Sequence, residues 1–174
     1  MLAQTLTSNL VTVVKGSVSW PAGTLRYGTD HDIAANHKGW RMDLPIFGER
    51  VISEASYPSG SKQDRVRFTT LIPDPDPCGN GRRGFLMDVC LANGGECTDP
   101  TFDLNMDGVI DANDKTPNGN PVGITSPEDP PEGEPITVVR CEGKDCLYSG
   151  DGKKISNSTN NAGPPGRQSW RQIR

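Results

Sequence analysis

The sequence predicts an all-β protein of short strands joined by turns and long irregular loops. Its 174 residues include 20 glycines and 15 prolines, and only 33% of the chain is hydrophobic. Long helices cannot absorb so many breakers, because proline lacks an N–H donor and glycine loses the most backbone entropy on folding. In agreement with this, no apolar face with a 3.6-residue repeat continues beyond two turns.

Short apolar segments, many of them β-branched, supply the candidate strands. Residues 65–72 show the pattern most clearly, because Val66, Phe68 and Thr70 alternate with Arg65, Arg67 and Thr69, as in a half-buried strand. The turn sequence that starts at Pro58 predicts a hairpin between this strand and the one before it. The predicted strands are 10–14, 39–44, 49–55, 65–72, 84–91, 136–141, 146–148 and 169–173.

The segments between these strands are rich in turn residues. Residues 16–36 are interpreted as a polar loop, and 73–83 as a loop rich in proline and glycine. Residues 93–129 form the longest non-periodic stretch, and loops of that length commonly carry function. Residues 157–166 are interpreted as a flexible linker of Asn, Gly and Pro before the terminal strand.

Charge argues against several classes of partner. A net charge of −4, with no basic stripe, disfavours nucleic acid and anionic membrane surfaces, which both select basic proteins. No apolar stretch is long enough for a membrane span. His31 and His37 are predicted to be surface residues, because no third zinc ligand lies at a usable spacing.

Five cysteines indicate an oxidising compartment. Cys141 and Cys146 bracket a turn-prone tetrapeptide, which predicts a disulfide between them. Cys78, Cys90 and Cys97 leave one odd thiol whichever pair forms, and the sequence does not decide the pairing.

Residues 103–111 of the long loop have the pattern of a calcium site. Ca²⁺ prefers six to eight hard oxygen ligands, and EF-hand loops supply them from alternating positions around a glycine at position 6. Gly108 occupies that position, and the predicted ligands are Asp103, Asn105, Asp107, the Val109 carbonyl and Asp111. Turn formation alone does not require this combination.

The flanks differ from those of an EF-hand. Pro100 and Pro117 make the two EF-hand helices improbable, so the calcium loop is predicted to be helix-free and placed between strands. Asp114 stands at position 12, where an EF-hand has a bidentate Glu, and its shorter side chain reaches less well. Asp114 is therefore predicted to matter less than Asp111.

Several motifs, in order, resemble the C-terminal domain of the PilY/PilC family of type IV pilus tip-associated adhesins and biogenesis factors. They run over about residues 39–174. The motifs are Gly39-Trp-Arg-Met-Asp-Leu-Pro45, Gly48-Glu-Arg-Val51, Phe68-Thr-Thr-Leu-Ile-Pro73, Asp76-Pro-Cys78, Gly84-Phe-Leu-Met-Asp88, Gly94-Gly95, Thr101-Phe-Asp103 and Gly166-Arg-Gln-Ser-Trp-Arg171.

The resemblance implies a modified β-propeller from which a nine-residue calcium loop emerges, and it leaves Asp114 outside that loop. Residues 1–174 would then be the C-terminal part of such a domain, a partial propeller of about two to three blades. The implied function is non-enzymatic: a calcium-binding, exported protein at the cell surface, pilus tip or outer membrane. It would support pilus assembly, calcium-regulated extension and retraction, twitching motility and adhesion. Its implied partners are minor or major pilins, the tip complex and host-surface receptors.

The chain departs from that family in lacking a signal peptide and the earlier blades, which predicts a piece of a longer protein. Cys90 and Cys97 also stand where an apolar strand residue and a loop residue are expected. The alternative function is a calcium-stabilised extracellular module that binds carbohydrate or another surface. A quinoprotein enzyme is disfavoured, because its axial pocket needs ligands from more blades than this chain supplies.

Overall fold

The computed structural model describes residues 2–4, 6–11, 14–15, 18–19, 23–29, 39–51, 54–58, 63–74, 76, 78, 83–125, 136–141, 144–148 and 154–158. These residues form thirteen strands and one 3₁₀ turn, Ala112–Asp114, which confirms the all-β class. The strands are β1 (Leu2–Gln4), β2 (Leu6–Val11), β3 (Val14–Lys15), β4 (Val18–Ser19), β5 (Gly23–Gly28), β6 (Trp40–Met42), β7 (Arg50–Val51), β8 (Arg65–Leu71), β9 (Leu86–Cys90), β10 (Gly123–Ile124), β11 (Thr137–Cys141), β12 (Lys144–Tyr148) and β13 (Lys154–Ser158). Within these residues, no helix has the length and apolar character needed to cross a bilayer.

The largest sheet has six strands in the order β2-β5-β10-β9-β8-β7, with antiparallel neighbours throughout. A second antiparallel sheet has the order β11-β12-β13. Two small pairs complete the described part, β1 with β6 in parallel and β3 with β4 antiparallel. Propellers are built from small antiparallel sheets of this kind, so the arrangement is compatible with the predicted two to three blades.

Most predicted strands are present, and the predicted hairpin pairs as expected. Arg50 and Val51 of β7 lie opposite Leu71 and Thr70 of β8. The isolated bridge between Ser56 and Arg67 extends the same antiparallel pairing. The turn residues 59–62 lie outside the described residues, as does the predicted strand 169–173.

Two of the predicted loops contain strands of the central sheet, so those predictions were wrong in part. Segment 16–36 includes β5, which pairs with β2 and β10. Segment 93–129 includes β10, which lies between β5 and β9. Strand β13 takes in Asn157 and Ser158, the first two residues of the predicted linker, whose other residues lie outside the described part.

Both faces of the central sheet are covered, which explains why all five residues of β9 are buried. Each face has its own cluster of apolar side chains. One cluster contains Leu25, Tyr27, Leu86, Phe102, Leu104, Ile124, Ile136 and Leu147. The other contains Ile72, Phe85, Met87, Val89 and Val122, with partly buried Trp40, Met42, Leu44, Ile46, Val66 and Phe68 packed against it.

The half-buried pattern predicted for β8 was wrong, because its arginines are buried, whereas Val66 and Phe68 are only partly buried. Arg65 and Arg67 are 2% and 3% exposed. The register places Arg67 opposite Asp88, and Arg67 Nε and Nη2 donate to Asp88 Oδ2 at 2.9 and 2.7 Å. Arg67 Nη1 also donates to Asp145 Oδ2 of β12 at 2.8 Å, so this ion pair links the two larger sheets. Buried guanidinium groups require such partners.

The opposite face of the sheet also contains a buried ion pair. Arg26 of β5 donates from Nη1 and Nη2 to the two carboxylate oxygens of Glu49, at 2.6 and 2.8 Å. The Arg26 guanidinium lies 3.4 Å from the centroid of the Phe85 ring, an additional cation–π contact. This pair holds segment 40–49 against the sheet.

Two disulfides are present among the described residues. Cys141 is bonded to Cys146, which confirms the predicted pair across β11 and β12. Cys90 is bonded to Cys97, and this leaves Cys78 as the exposed free thiol. The Cys90–Cys97 bond therefore ties the start of the long loop to the end of β9.

Candidate metal centre

The first residues of the predicted calcium loop are fixed by the core. Phe102 and Leu104 belong to one of the apolar clusters and are 1% and 0% exposed. Asp103 and Asn105 alternate with them and are equally buried, at 1% and 0%. Packing of the apolar neighbours thus positions the first two predicted side-chain ligands.

Upstream of Asp103, the chain is held by a side chain of the central sheet. Arg65 donates from Nη1 to the Thr101 hydroxyl and from Nη2 to the Asp99 carbonyl at 2.7 Å. The Cys90–Cys97 disulfide adds a covalent attachment a few residues earlier. The entrance to the loop is therefore joined to β8 and β9.

Beyond Asn105, the backbone bends sharply through two residues with positive φ. Gly108 has φ of 84°, which glycine adopts at little cost, and this is the bend predicted for position 6. Met106 has φ of 59°, a conformation that costs a residue with a Cβ about 1–2 kcal/mol. Met106 and Val109 are the apolar residues exposed on this bend.

Side-chain oxygens of the predicted ligands accept backbone N–H groups of the same loop. Asp103 accepts from Asp107 N at 3.1 Å through Oδ1 and from Gly108 N at 3.0 Å through Oδ2. Asn105 Oδ1 accepts from Asp107 N at 3.0 Å, and Asp107 Oδ1 accepts from Val109 N at 2.9 Å. These bonds curl the chain around the side chains at positions 1, 3 and 5.

The end of the loop leads directly into the 3₁₀ turn. Asp111 is its N-cap, and Asp111 Oδ1 accepts from Asn113 N at 2.8 Å. Asp114 Oδ2 accepts from Asp111 N at 2.8 Å, which completes a capping box. Residues 103–111 contain no helix, and the one helical turn among the described residues follows them.

The electrostatics of the loop favour a positive partner for Asp103. Burial raises the pKa of Asp103 to about 6, and the negative charges of Asp114 and Asp107 act in the same direction. The N–H groups of Gly108 and Asp107 oppose that increase. Burial also raises the pKa of Asp114. A carboxylate in such surroundings gains from a bound cation, which takes the place of the proton.

The donor set fits a hard cation. All five predicted ligands offer carboxylate, amide or carbonyl oxygen on one short loop, and Ca²⁺ prefers such oxygens. Asn105 Nδ2 is buried and has no hydrogen-bond partner within the described part of the chain. A water molecule in the shell of a bound ion would accept that N–H group.

The carboxylate side chains of the loop are not arranged around one point, as they would be around a bound metal ion. Among the described residues, no three His, Cys, Asp or Glu side chains are grouped closely enough to hold an ion. The predicted ligands include an amide and a backbone carbonyl, which are outside those residue types. The ligand set therefore stays a prediction, and the oxygen donors of the loop fit it. The predicted ligands are Asp103, Asn105, Asp107, the Val109 carbonyl and Asp111.

Sequence reasoning missed the residues that anchor the loop. Arg65 and Thr101 gave no signal, because an arginine in an alternating strand and a threonine before an aspartate are both common. Asp114 did give a signal, as the third residue after Asp111 in a capping box, but it was assigned a minor role. His31 and His37 lie outside the described residues.

Fold and loop together define an all-β domain in which the loop of residues 103–111 is anchored to the core of an antiparallel sheet. The chain is similar to the type IV pilus biogenesis factor PilY1 of Pseudomonas aeruginosa, with 25% identity over 175 residues. This alignment takes in 95% of the chain and 14% of PilY1. The resemblance to the PilY/PilC family predicted from the motifs is thereby confirmed.

The fold is similar to the crystal structure of the Pseudomonas aeruginosa PilY1 C-terminal domain. The TM-score is 0.60 at 19% identity, over 94% of this chain and 32% of that one. At this identity the likeness shows the fold alone. No protein-family model matches the chain.

Proposed function

We propose that this chain is the calcium-binding part of a cell-surface protein that supports type IV pilus assembly. The similarity to a type IV pilus biogenesis factor over 95% of the chain carries the proposal. The chain spans only 14% of the length of that relative, so the role in pilus assembly is proposed here and not transferred from it. The proposed partners are pilins or the tip complex, and a host-surface receptor in adhesion.

The proposed ligands of Ca²⁺ are the side chains of Asp103, Asn105, Asp107 and Asp111 with the Val109 carbonyl. The ion supplies positive charge to a loop that contains several carboxylates. Asp103 supports this role most directly, because it is 1% exposed and burial raises its pKa. The role is structural, since the loop residues bind and orient one another and no bond of a substrate is broken.

Calcium would act on pili by selecting one arrangement of the loop. A partner that binds the ordered loop more tightly than the open loop would bind better when calcium is present. The gain in binding free energy cannot exceed the difference in the partner's affinity for these two arrangements. The anchors at Arg65 and Thr101 connect the loop to β8, so a change in the loop bears on the central sheet. Extension, retraction, twitching motility and adhesion would then depend on calcium.

Substitution of Asp111 in the full-length protein tests this function. Asp111→Ala should lose surface pili, because an oxygen ligand is removed, and Asp111→Lys should partly restore them by placing a positive charge at the site. Asp43→Ala is the matched control, since that carboxylate is exposed and pairs only with the exposed Arg41 in its described contacts. Normal piliation and twitching in Asp111→Ala, with calcium binding lost, would defeat the proposal.

A further inference from the structure

The carboxylate of Asp114 holds both ends of the calcium loop. Its Oδ1 accepts from Leu104 N at 2.9 Å and from Asn105 N at 3.3 Å, and its Oδ2 accepts from Asp111 N at 2.8 Å. These three amides belong to positions 2, 3 and 9 of the predicted loop. Asp114 itself is 0% exposed, although the sequence places it beyond the loop.

These contacts join a fixed end of the loop to one that is only partly buried. Leu104 is part of the apolar core, whereas Asp111 is partly exposed and follows the exposed residues Asp107 and Val109. The 3₁₀ turn leaves only two residues between Asp111 and Asp114, so the link is short. Asp114 therefore sets how far Asp111 can lie from Asp103.

The hydrogen bonds leave Asp114 little capacity to be a ligand. A carboxylate has about four lone-pair sites, two on each oxygen. Both sites on Oδ1 are used by Leu104 and Asn105, and one site on Oδ2 is used by Asp111. Bidentate coordination, the usual role of position 12, needs a site on each oxygen and would break at least one of the two bonds to Oδ1.

A second observation connects Asp114 with the proposed ligand Asn105. The Asn105 amide nitrogen is buried without a hydrogen-bond partner in the described part of the chain, while Asn105 Oδ1 accepts from Asp107 N. The backbone N–H of Asn105 is held by Asp114. Asp114 thus also fixes a proposed ligand residue whose buried amide N–H would donate to a water molecule in the shell of a bound ion.

We infer that Asp114 is a positioning residue of the calcium loop, which closes the loop around the site before the ion binds. This inference rests on the proposed function and deepens it. Residues that orient ligands in this way typically contribute roughly 10- to 100-fold to metal affinity. Asp114 is accordingly expected to matter about as much as a ligand.

The test compares Asp114→Ala, Asp114→Asn and Asp107→Ala in the complete chain. Calcium titration calorimetry gives the Kd, and NMR hydrogen exchange in a calcium chelator gives the protection of the Leu104, Asn105 and Asp111 amides. Asp114→Ala should weaken calcium binding roughly 10- to 100-fold and speed exchange at all three amides. Asp114→Asn keeps one oxygen, so it should protect Leu104 and Asn105 but not Asp111.

Asp107→Ala is the matched control, because it removes an exposed proposed ligand whose Oδ1 accepts from Val109 N, an amide that Asp114 does not contact. It should weaken calcium binding without changing exchange at Leu104 or Asn105 in the metal-free chain. Wild-type calcium affinity in Asp114→Ala overturns the inference. Lost affinity with unchanged metal-free exchange overturns it as well, because Asp114 would then be a ligand. If the wild-type chain binds no calcium, the proposed function fails, and the exchange data still decide whether Asp114 closes the loop.

Discussion

Arg65 in the central sheet donates a hydrogen bond to the hydroxyl of Thr101, two residues before the first aspartate of the proposed calcium loop. A second guanidinium nitrogen of Arg65 donates to the Asp99 carbonyl at 2.7 Å. The loop is thereby attached to a buried charge of β8. Its position depends on the sheet as well as on its own turn-forming residues.

The same buried charge cluster joins the two larger sheets. Asp88 lies between the guanidinium groups of Arg65 and Arg67, at 3.6 and 2.7 Å. Arg67 reaches Asp145 of β12 as well. Burial raises the pKa of Asp88, and the guanidinium groups of Arg67 and Arg65 oppose that increase. Two positive and two negative groups therefore compensate one another inside the protein.

Replacing Arg67 should destabilise the fold more than replacing an exposed arginine. Arg67→Met takes the closer guanidinium away from Asp88, and breaking a buried pair typically costs about 3–5 kcal/mol. Arg41→Met is the control, because Arg41 and Asp43 are 55% and 77% exposed and such pairs contribute about 0–1 kcal/mol. Urea denaturation measures both. Equal midpoints for the two variants would contradict the importance of the buried cluster.

Gly94 should tolerate no side chain. It has φ of 76°, and a Cβ there would overlap the Trp40 indole, which also donates from Nε1 to the Leu91 carbonyl at 2.8 Å. Gly94→Ala should therefore cost about 2–4 kcal/mol in unfolding free energy. In Gly28→Ala, the added Cβ would meet Val122 at an ordinary 3.5 Å, so its cost should stay below about 1 kcal/mol. A Gly94→Ala chain as stable as Gly28→Ala would show that Trp40 does not pack there.

Calcium should bind one ion per chain, with a Kd of about 10⁻⁶ to 10⁻³ M. Asp103→Ala and Asp111→Ala should each abolish the binding heat in titration calorimetry, because each variant removes a charged oxygen. Asp43→Ala serves as the control, since its carboxylate is exposed and lies far along the chain from the loop. An absence of heat at millimolar calcium in the unmodified chain, with no effect of a chelator on its stability, would refute the site.

The strands that could be predicted are those whose apolar residues form a local pattern. Residues 65–72 and 84–91 were found because Val, Leu, Phe and Met dominate or alternate within them. Strand β5 was missed because Arg26 interrupts Leu25 and Tyr27 and glycines stand at both ends. The ion-pair partner of this buried arginine is Glu49, 23 residues away, and no local pattern reveals such a partner. Strand β10 was missed because its two residues are too short to show any period.

The same limit applies to the candidate site. The alternation of oxygen donors around Gly108 is local, so the sequence could predict the loop and its bend. The roles of Arg65 and Asp114 depend on hydrogen bonds to backbone groups, which the sequence does not display. Asp114 is close to the loop in sequence, yet its burial follows from the packing of Leu104 into the core.

Acidification should weaken calcium binding and stabilise the metal-free chain. Burial raises the pKa of Asp103 from 3.8 to about 6, with the charges of Asp114 and Asp107 contributing. Between pH 3.8 and about pH 6, Asp103 keeps its proton in the folded, metal-free chain and has lost it in the unfolded chain. The stabilisation from this proton is therefore complete below 3.8 and is lost as the pH rises through about 6.

Calcium must displace that proton, so its affinity should fall by up to about tenfold per pH unit below pH 6. Calorimetric titrations at about pH 7.5, 6.5 and 5.5 measure this change, and thermal unfolding in chelator measures the opposite trend in stability. Asp103→Asn is the control, because asparagine does not titrate. In this variant, acidification should stabilise the metal-free chain less than it stabilises the unmodified chain. A Kd that stays constant down to about pH 5, together with metal-free stability that does not rise, would show that Asp103 is already ionised in the folded chain.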